Sequence, residues 1–141
     1  MEWAHEIHRR RPERIKKPAV VGAVLQLGTC FDLLDVRFTR YLTASFPQLK
    51  AAIESTGAEL PVNRDGGGKS GDLVLRFRDC AMLNWAIPKL ERERGIHFHT
   101  VRCAFIEGDA AYEGAAIREK SHIQIAVRDP AAIVGVFRPS T

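Results

Sequence analysis

The spacing of apolar residues predicts three helices separated by segments that contain glycine and proline. Apolar positions repeat every three to four residues over residues 2–10, 32–56 and 72–94, which is the period of an amphipathic helix. Asp72 belongs to the residue types that cap helix N-termini, and Gly95 is the residue type that most often ends a helix. We therefore expect a short first helix and two longer ones.

Four further segments have the composition of β-strands. Residues 19–28 form a continuous apolar run, which predicts a central strand buried on both faces. Shorter runs over residues 96–106, 123–127 and 133–137 predict three more strands. The order of helix, strand, two helices and then strands favours an α+β fold with a small mixed or antiparallel sheet and two to three helices.

The length of 141 residues and the hydrophobic content of 45% suit one domain with its own core. We divide it into a basic N-terminal helix and linker, residues 1–17, and an α+β core, residues 18–139. No apolar run approaches the roughly 18 residues that span a bilayer, so we expect a cytoplasmic protein with no membrane partner.

Cysteine and histidine residues give little indication of a metal site. The three cysteines are widely spaced within apolar segments, and we interpret them as buried reduced thiols rather than as a disulfide framework or a zinc site. His97 and His99 would share one face of a strand, but two histidines without a third ligand make a weak site. We expect no metal cofactor.

A glycine-rich run at residues 66–70 also contains the lysine and serine of a phosphate-binding loop. Such a loop has a glycine where this chain has Asn63, and it follows a strand, whereas a helix and a proline precede this run. We therefore interpret residues 61–71 as a flexible connection between two helices.

Basic residues near the N-terminus account for much of the net charge of +4. Such a cluster can bind nucleic-acid phosphates or an acidic protein, although it is more often a solvated helix end. It contains no aromatic side chain to stack on bases, which disfavours single-strand binding. The basic cluster consists of Arg9, Arg10, Arg11, Arg14, Lys16 and Lys17.

Residues 118–130 carry the strongest candidate chemistry, because a polar approach runs into a short apolar strand that stops at Asp129. His122 and Gln124 lie two residues apart and are predicted to point to the same face. The run Gln-Ile-Ala-Val-Arg-Asp from Gln124 to Asp129 resembles the last motif of poly(ADP-ribose)-polymerase-type ADP-ribosyltransferases, where a glutamate opens a strand reading Glu-Tyr-Ile-Val-Tyr-Asp. In this match Gln124 takes the place of the glutamate and Asp129 that of the aspartate.

A broader resemblance links residues 22–35 and 105–114 to a group of uncharacterised bacterial proteins that carry the same fold, and it extends over about residues 1–139. In the family, a nicotinamide-binding histidine and tyrosine come from strands upstream of a Glu-Trp-Ala helix. Those three residues stand at positions 2–4 here. The resemblance therefore implies an incomplete ADP-ribosyltransferase-like fold that lacks these upstream strands.

The resemblance also implies an NAD-dependent site with named residues. Gln124 would contact the ribose hydroxyl, and Glu119 is the carboxylate that would substitute for the missing glutamate. His122, Glu119 and Arg118 would line the acceptor side, and Tyr112 would lie on a loop that covers the substrate. The acceptor, a protein or a nucleic acid, stays open, and a toxin or phage-defence role follows from family analogy alone.

Glutamine in place of glutamate changes the expected chemistry. Cleavage of the bond between nicotinamide and ribose passes through an oxocarbenium-like transition state, which a carboxylate stabilises. An amide accepts a hydrogen bond but supplies no charge, and losing one such electrostatic partner costs on the order of 10² to 10³ in rate. We therefore expect little or no turnover. Two alternatives remain: a non-enzymatic binding module that uses the basic cluster, and an inert fragment. A homo-oligomer also remains open.

Overall fold

The computed structural model describes residues 4–5, 8–9, 12–14, 16–65 and 72–139. Over these residues the fold is α+β, as the order of the segments predicted. Ala4, His5, His8 and Arg9 are helical, in agreement with the predicted first helix. The remaining elements are α1 (Val36–Glu54), α2 (Phe77–Arg94), β1 (Gly22–Leu25), β2 (Cys30–Asp32), β3 (Thr100–Phe105), β4 (His122–Val127) and β5 (Ile133–Phe137).

The strands form two small sheets. In the larger sheet β3 lies between β2 and β4, parallel to β2 and antiparallel to β4, so this small sheet is the mixed one of the two predicted alternatives. The smaller sheet is the antiparallel pair of β1 and β5, with Gly22 opposite Phe137. The hydroxyl of Thr100 donates to the carbonyl oxygen of Leu27 at 2.8 Å and so ties the start of β3 to the chain that follows β1.

The prediction of a central, two-face-buried strand over residues 19–28 is wrong. β1 has four residues, and among the described strands it pairs only with β5. Val21 and Val24 are 59% and 54% exposed. Apolar composition indicates that burial would stabilise a segment, but tertiary contacts decide whether another part of the chain covers it.

The N-termini of the two helices are capped in different ways. Asp35 immediately precedes α1, and its carboxylate accepts a hydrogen bond from the backbone N–H of Arg37 at 2.9 Å. For α2 the cap comes from a distant residue, because Asn63 Oδ1 accepts from the backbone N–H groups of Arg78 at 2.8 Å and of Asp79 at 3.3 Å. Both arrangements satisfy N–H groups that have no partner within the helix.

The predicted cap at Asp72 is therefore wrong, and α2 begins five residues later. Asp72 Oδ2 instead accepts a hydrogen bond from the backbone N–H of Gly108 at 2.8 Å. The predicted end is confirmed, because Gly95 follows α2 with a φ of +63°, a conformation that glycine adopts without strain.

The core lies where the two helices cover one face of the larger sheet. Phe31 on β2 and Val101 on β3 are register partners, so their side chains share this face. The ring of Phe31 packs against that of Phe38 on α1, with centroids 4.5 Å apart. A second buried group joins the helices through Leu49 and Ala86. The buried residues of the main cluster are Phe31, Ile87, Leu90, Phe98 and Val101.

Candidate functional site

β4 brings His122 and Gln124 together on one face, as their spacing predicted, with their Nε2 atoms 2.7 Å apart. His122 Nδ1 lies 2.6 Å from the carbonyl oxygen of Lys120, and a carbonyl oxygen can only accept. In the neutral ring the proton therefore sits on Nδ1, and Nε2 accepts a hydrogen bond from the amide of Gln124. The imidazole thus determines how the amide is oriented.

This orientation leaves the carbonyl end of the Gln124 side chain available. With Nε2 donating to His122, Oε1 accepts no hydrogen bond from the described residues, and Gln124 is exposed. A carbonyl oxygen in this position can accept from a ligand hydroxyl, but it carries no formal charge. The strand therefore presents an oriented acceptor at its start.

An aromatic ring and a cation lie next to this pair. Phe105 on β3 is the register partner of His122, and their rings stack with centroids 5.6 Å apart at 24°. The guanidinium carbon of Arg76 lies 4.3 Å from the centroid of the Phe105 ring, which is within cation–π distance. Arg76 Nη2 also donates to Glu107 Oε1 at 2.7 Å, so a carboxylate already balances much of its charge.

The Cys103 thiol beside Gln124 is not activated as a nucleophile. Cys103 is the register partner of Gln124, and burial raises the pKa of its thiol, which keeps it protonated. All three cysteines are free, in agreement with the prediction of reduced thiols. The expectation that all are buried is wrong for Cys80, which is exposed, and holds only in part for Cys30 and Cys103, which are half-buried. Cys80 lies two positions before Met82 on α2 and so faces away from the buried side.

The connection between β3 and β4 folds back on itself rather than forming an irregular loop. The backbone N–H of Glu119 donates to the carbonyl oxygen of Asp109 at 3.0 Å, and Arg118 forms an antiparallel bridge with Ala110. Gly114 adopts a φ of +76° near the tip, where a side chain would be strained. The predicted site residues on this segment are therefore held by a short hairpin.

Tyr112, Arg118 and Glu119 do not join the site at Gln124 in this structure. Tyr112 lies near the hairpin tip and is 65% exposed, and the other two side chains are also exposed. No described contact connects any of the three to Gln124. Glu119 thus does not supply a carboxylate at the strand start, and only His122 and Gln124 come together from the predicted set.

A cavity of about 240 Å³ lies near the other end of β4, lined in part by His99 and Asp129. Asp129 lies five positions after Gln124, which is roughly 16 Å along an extended strand. Gln124 is not among the lining residues. The cavity is lined by Gln26, Gly28, His99, Asp129, Ala131 and Ala132.

A backbone hydrogen bond determines the tautomer of His99. The N–H of Thr29 donates to His99 Nδ1 at 3.2 Å, so in the neutral ring Nε2 carries the proton. Gly28 adopts a φ of +58°, and a Cβ atom there would lie 2.7 Å from the His99 ring. Only glycine allows the chain to pass this close to the imidazole.

Asp129, which the sequence match predicted to take the place of the family's aspartate, has a structural role in the turn beside this cavity. Its Oδ1 accepts a hydrogen bond from the backbone N–H of Ala131 at 2.9 Å and caps the short helix of residues 130–132. Its Oδ2 lies 3.7 Å from His97 Nε2. The Asp-Pro sequence predicted the turn, but the approach of His97 depends on long-range packing.

No metal site is evident over the described residues. His97 and His99 have ring centroids 5.0 Å apart, but both precede β3, so the prediction that they share a strand face is wrong. No group of three potential ligands occurs among the residues that the structure describes. In the same part of the chain, no helix has the length and apolar character required to cross a membrane.

Two other candidates from the sequence lie partly or wholly outside the described residues. The glycine-rich run at residues 66–70 is outside them, as are Arg10 and Arg11 of the basic cluster. The four described members of that cluster are exposed: Arg9, Arg14, Lys16 and Lys17.

No protein-family model, curated protein or solved structure matches this chain. The resemblance to ADP-ribosyltransferases therefore remains a prediction from the sequence.

Proposed function

We propose that the chain is an ADP-ribosyltransferase-like protein that binds NAD at the start of β4 and turns it over weakly or not at all. The supporting observation is the 2.7 Å contact between His122 and Gln124, which leaves Gln124 Oε1 as an oriented acceptor on an exposed strand. The family motif has its glutamate at this position.

In this proposal Gln124 positions the ligand and does not stabilise charge. A ribose hydroxyl of NAD donates a hydrogen bond to Oε1, and the bound NAD supplies the bond between nicotinamide and ribose. The transition state for cleavage develops positive charge, which an amide oxygen stabilises less than a carboxylate does. Because no carboxylate among the described residues takes the place of the missing one beside Gln124, the proposed turnover is low.

The neighbouring residues fit a dinucleotide only in part. The stacked rings of Phe105 and His122 form an aromatic group beside Gln124, against which a nicotinamide or adenine ring can pack. A diphosphate needs a cation, but Arg76 is already paired with Glu107. We therefore expect weak affinity, with binding that depends on the hydrogen bond to Gln124.

Titration with NAD, followed by the NMR signals of the β4 amides and the His122 ring, tests the proposal. NAD should shift these signals in a saturable manner, and Gln124→Ala should weaken binding about tenfold, the loss of one well-formed hydrogen bond. Gln48→Ala makes the same change at an exposed position on α1 and should leave binding unchanged. Absence of saturable shifts, or equal affinity of both variants, would refute the NAD site.

A second candidate function is supported by the exposure of the four described members of the basic cluster. Arg9, Arg14, Lys16 and Lys17 are all accessible to a phosphate backbone. Binding to duplex nucleic acid should then weaken steeply as salt rises, because each phosphate contact releases counterions. Replacing Arg14 and Lys17 with alanine should reduce the salt dependence, whereas Gln124→Ala should leave it unchanged. Affinity that is independent of salt would argue against this function.

A further inference from the structure

The outer edge of β4 carries backbone groups that have no strand partner among the described residues. β4 is the last strand in the order β2–β3–β4. Arg102 presents its carbonyl oxygen to β2, where the N–H of Leu33 donates to it at 2.8 Å, so the even-numbered residues of β3 bond towards β2. The antiparallel register then turns the N–H and C=O groups of Ile123, Ile125 and Val127 outward.

The side chains of these three residues form an apolar row on the sheet face opposite the helices. Ala126 is the register partner of Val101, which lies on the helix-covered face, so the odd-numbered residues of β4 point to the other face. Ile123, Ile125 and Val127 are 58%, 38% and 36% exposed. An exposed apolar edge strand without an interior charge is a template for pairing with another strand.

We propose that two copies of this chain associate through antiparallel pairing of β4 with β4, centred on Ile125. This is the one register that pairs all three outward residues, because it places Ile125 opposite Ile125 and Ile123 opposite Val127. The six outward N–H and C=O groups of each copy then form a ladder with those of the other. The result is a continuous six-stranded sheet, β2–β3–β4 followed by β4–β3–β2 of the second copy.

The charges that flank β4 complement one another in this register. Ser121 of one copy lies opposite Asp129 of the other, so the neighbouring Lys120 comes within reach of that carboxylate. The two-fold axis creates this contact twice. A displacement by two residues in either direction removes one apolar pair and moves Lys120 away from Asp129. The apolar row and the flanking charges therefore select the same register.

The helices leave space for this arrangement. Two-fold pairing of edge strands places the helix layers of both copies on the same side of the joined sheet. Gln124 and Ala126 lie on the face of β4 that continues the helix-covered face of β3. Both are exposed, so the helix layer ends before it reaches β4. The pairing also brings the Gln124 side chains of the two copies near each other across the axis, on one shared face.

Hydrogen exchange of the unmodified protein tests the pairing at the level of single amides. As the protein concentration rises, the amides of Ile123, Ile125 and Val127 should become protected, whereas those of Gln124 and Ala126 should not change because they already bond to β3. Sedimentation velocity over the same concentrations should show conversion from monomer to dimer. A monomer at every concentration, or a dimer without this alternating protection, would overturn the proposal.

Substitution and cross-linking provide independent tests. Ile125→Lys places two cations opposite each other and should weaken dimerisation at least tenfold, while Val62→Lys, at a loop residue that is 53% exposed, should not affect it. A carbodiimide should join Lys120 of an isotopically labelled copy to Asp129 of an unlabelled one. Larger aggregates in place of dimers, or a dimer in which this cross-link is absent, would contradict the proposed register.

Discussion

Arg128 binds Glu91 across the protein and joins the end of β4 to the last turns of α2. Arg128 Nη1 donates to Glu91 Oε1 and to the carbonyl oxygen of Phe98, both at 2.6 Å. Glu91 Oε1 also accepts from the backbone N–H of Phe98 at 2.8 Å. The hydrogen bond from Arg128 is the main reason that the pKa of Glu91 falls to about 2.

This pair predicts how stability depends on pH. The pKa of Glu91 lies below its ordinary value of 4.5, so its contribution is complete above about pH 4.5 and is lost as the pH falls towards 2. We expect this loss to lower the free energy of unfolding by on the order of 2 kcal/mol. Urea denaturation at several pH values measures this free energy for the unmodified protein, for Glu91→Gln and for the exposed control Glu54→Gln.

The variants distinguish this pair from general acid denaturation. Glu91→Gln should be less stable than the unmodified protein at neutral pH and should lose less stability on acidification, whereas Glu54→Gln should follow the unmodified protein. If Glu91→Gln lost as much stability on acidification as the unmodified protein, the Glu91 carboxylate would not be the source of that loss.

The cap of α2 by Asn63 gives a second prediction. Asn63→Ala removes the acceptor for two backbone N–H groups at the start of the helix and should lower the free energy of unfolding by about 1 kcal/mol. Asn84→Ala changes the same residue type at an exposed position within α2 and should be close to neutral or slightly stabilising. Thermal unfolding followed by circular dichroism compares the two variants. Equal midpoints would show that Asn63 does not stabilise α2 as its cap.

A third prediction concerns the close approach of Gly28 to His99. Gly28→Ala places a Cβ atom 2.7 Å from the imidazole and also forces alanine into a positive φ. Gly57→Ala serves as the control, because Gly57 has a φ of +76° and nothing within 4 Å of an added Cβ. Gly57→Ala should cost about 1 kcal/mol and Gly28→Ala clearly more. The NMR signals of the His99 ring should shift in Gly28→Ala alone. Equal losses in the free energy of unfolding would show that the imidazole moves aside without a penalty.

A fourth prediction restores the charge that the family motif carries. Gln124→Glu supplies a carboxylate beside the proposed ribose site and should raise the release of nicotinamide from NAD by about 10²-fold. A carboxylate cannot donate to His122 Nε2, so that nitrogen must carry a proton for the contact to persist. Chromatography of released nicotinamide measures the rate, with Gln124→Ala as the inactive comparison. Equal rates in the two variants would exclude this residue from charge stabilisation.

Local sequence signals predicted the parts of the fold that depend on neighbouring residues. The helical period identified α1 and α2, Gly95 marked the end of α2, and the two-residue spacing placed His122 beside Gln124. Each of these results follows from contacts within a few positions along the chain. The prediction that Asp72 caps α2 is wrong, because Asn63 caps this helix instead. Asn63 lies 15 positions before Arg78, which is too far for a local sequence pattern to indicate the contact.

Backbone geometry and periodicity act over short spans, so the two long helices, the α+β class and the shared face of the pair on β4 were predictable from the sequence. The short strand β2 was not predicted. Tertiary structure alone decided that β1 is a partly exposed strand and that Gly28, His99 and Asp129 line one cavity. It also decided that β4 is an edge strand. These features depend on which distant segments pair and on which apolar groups stay uncovered. The free energy that decides the pairing comes from contacts throughout the chain, so no local pattern indicates it.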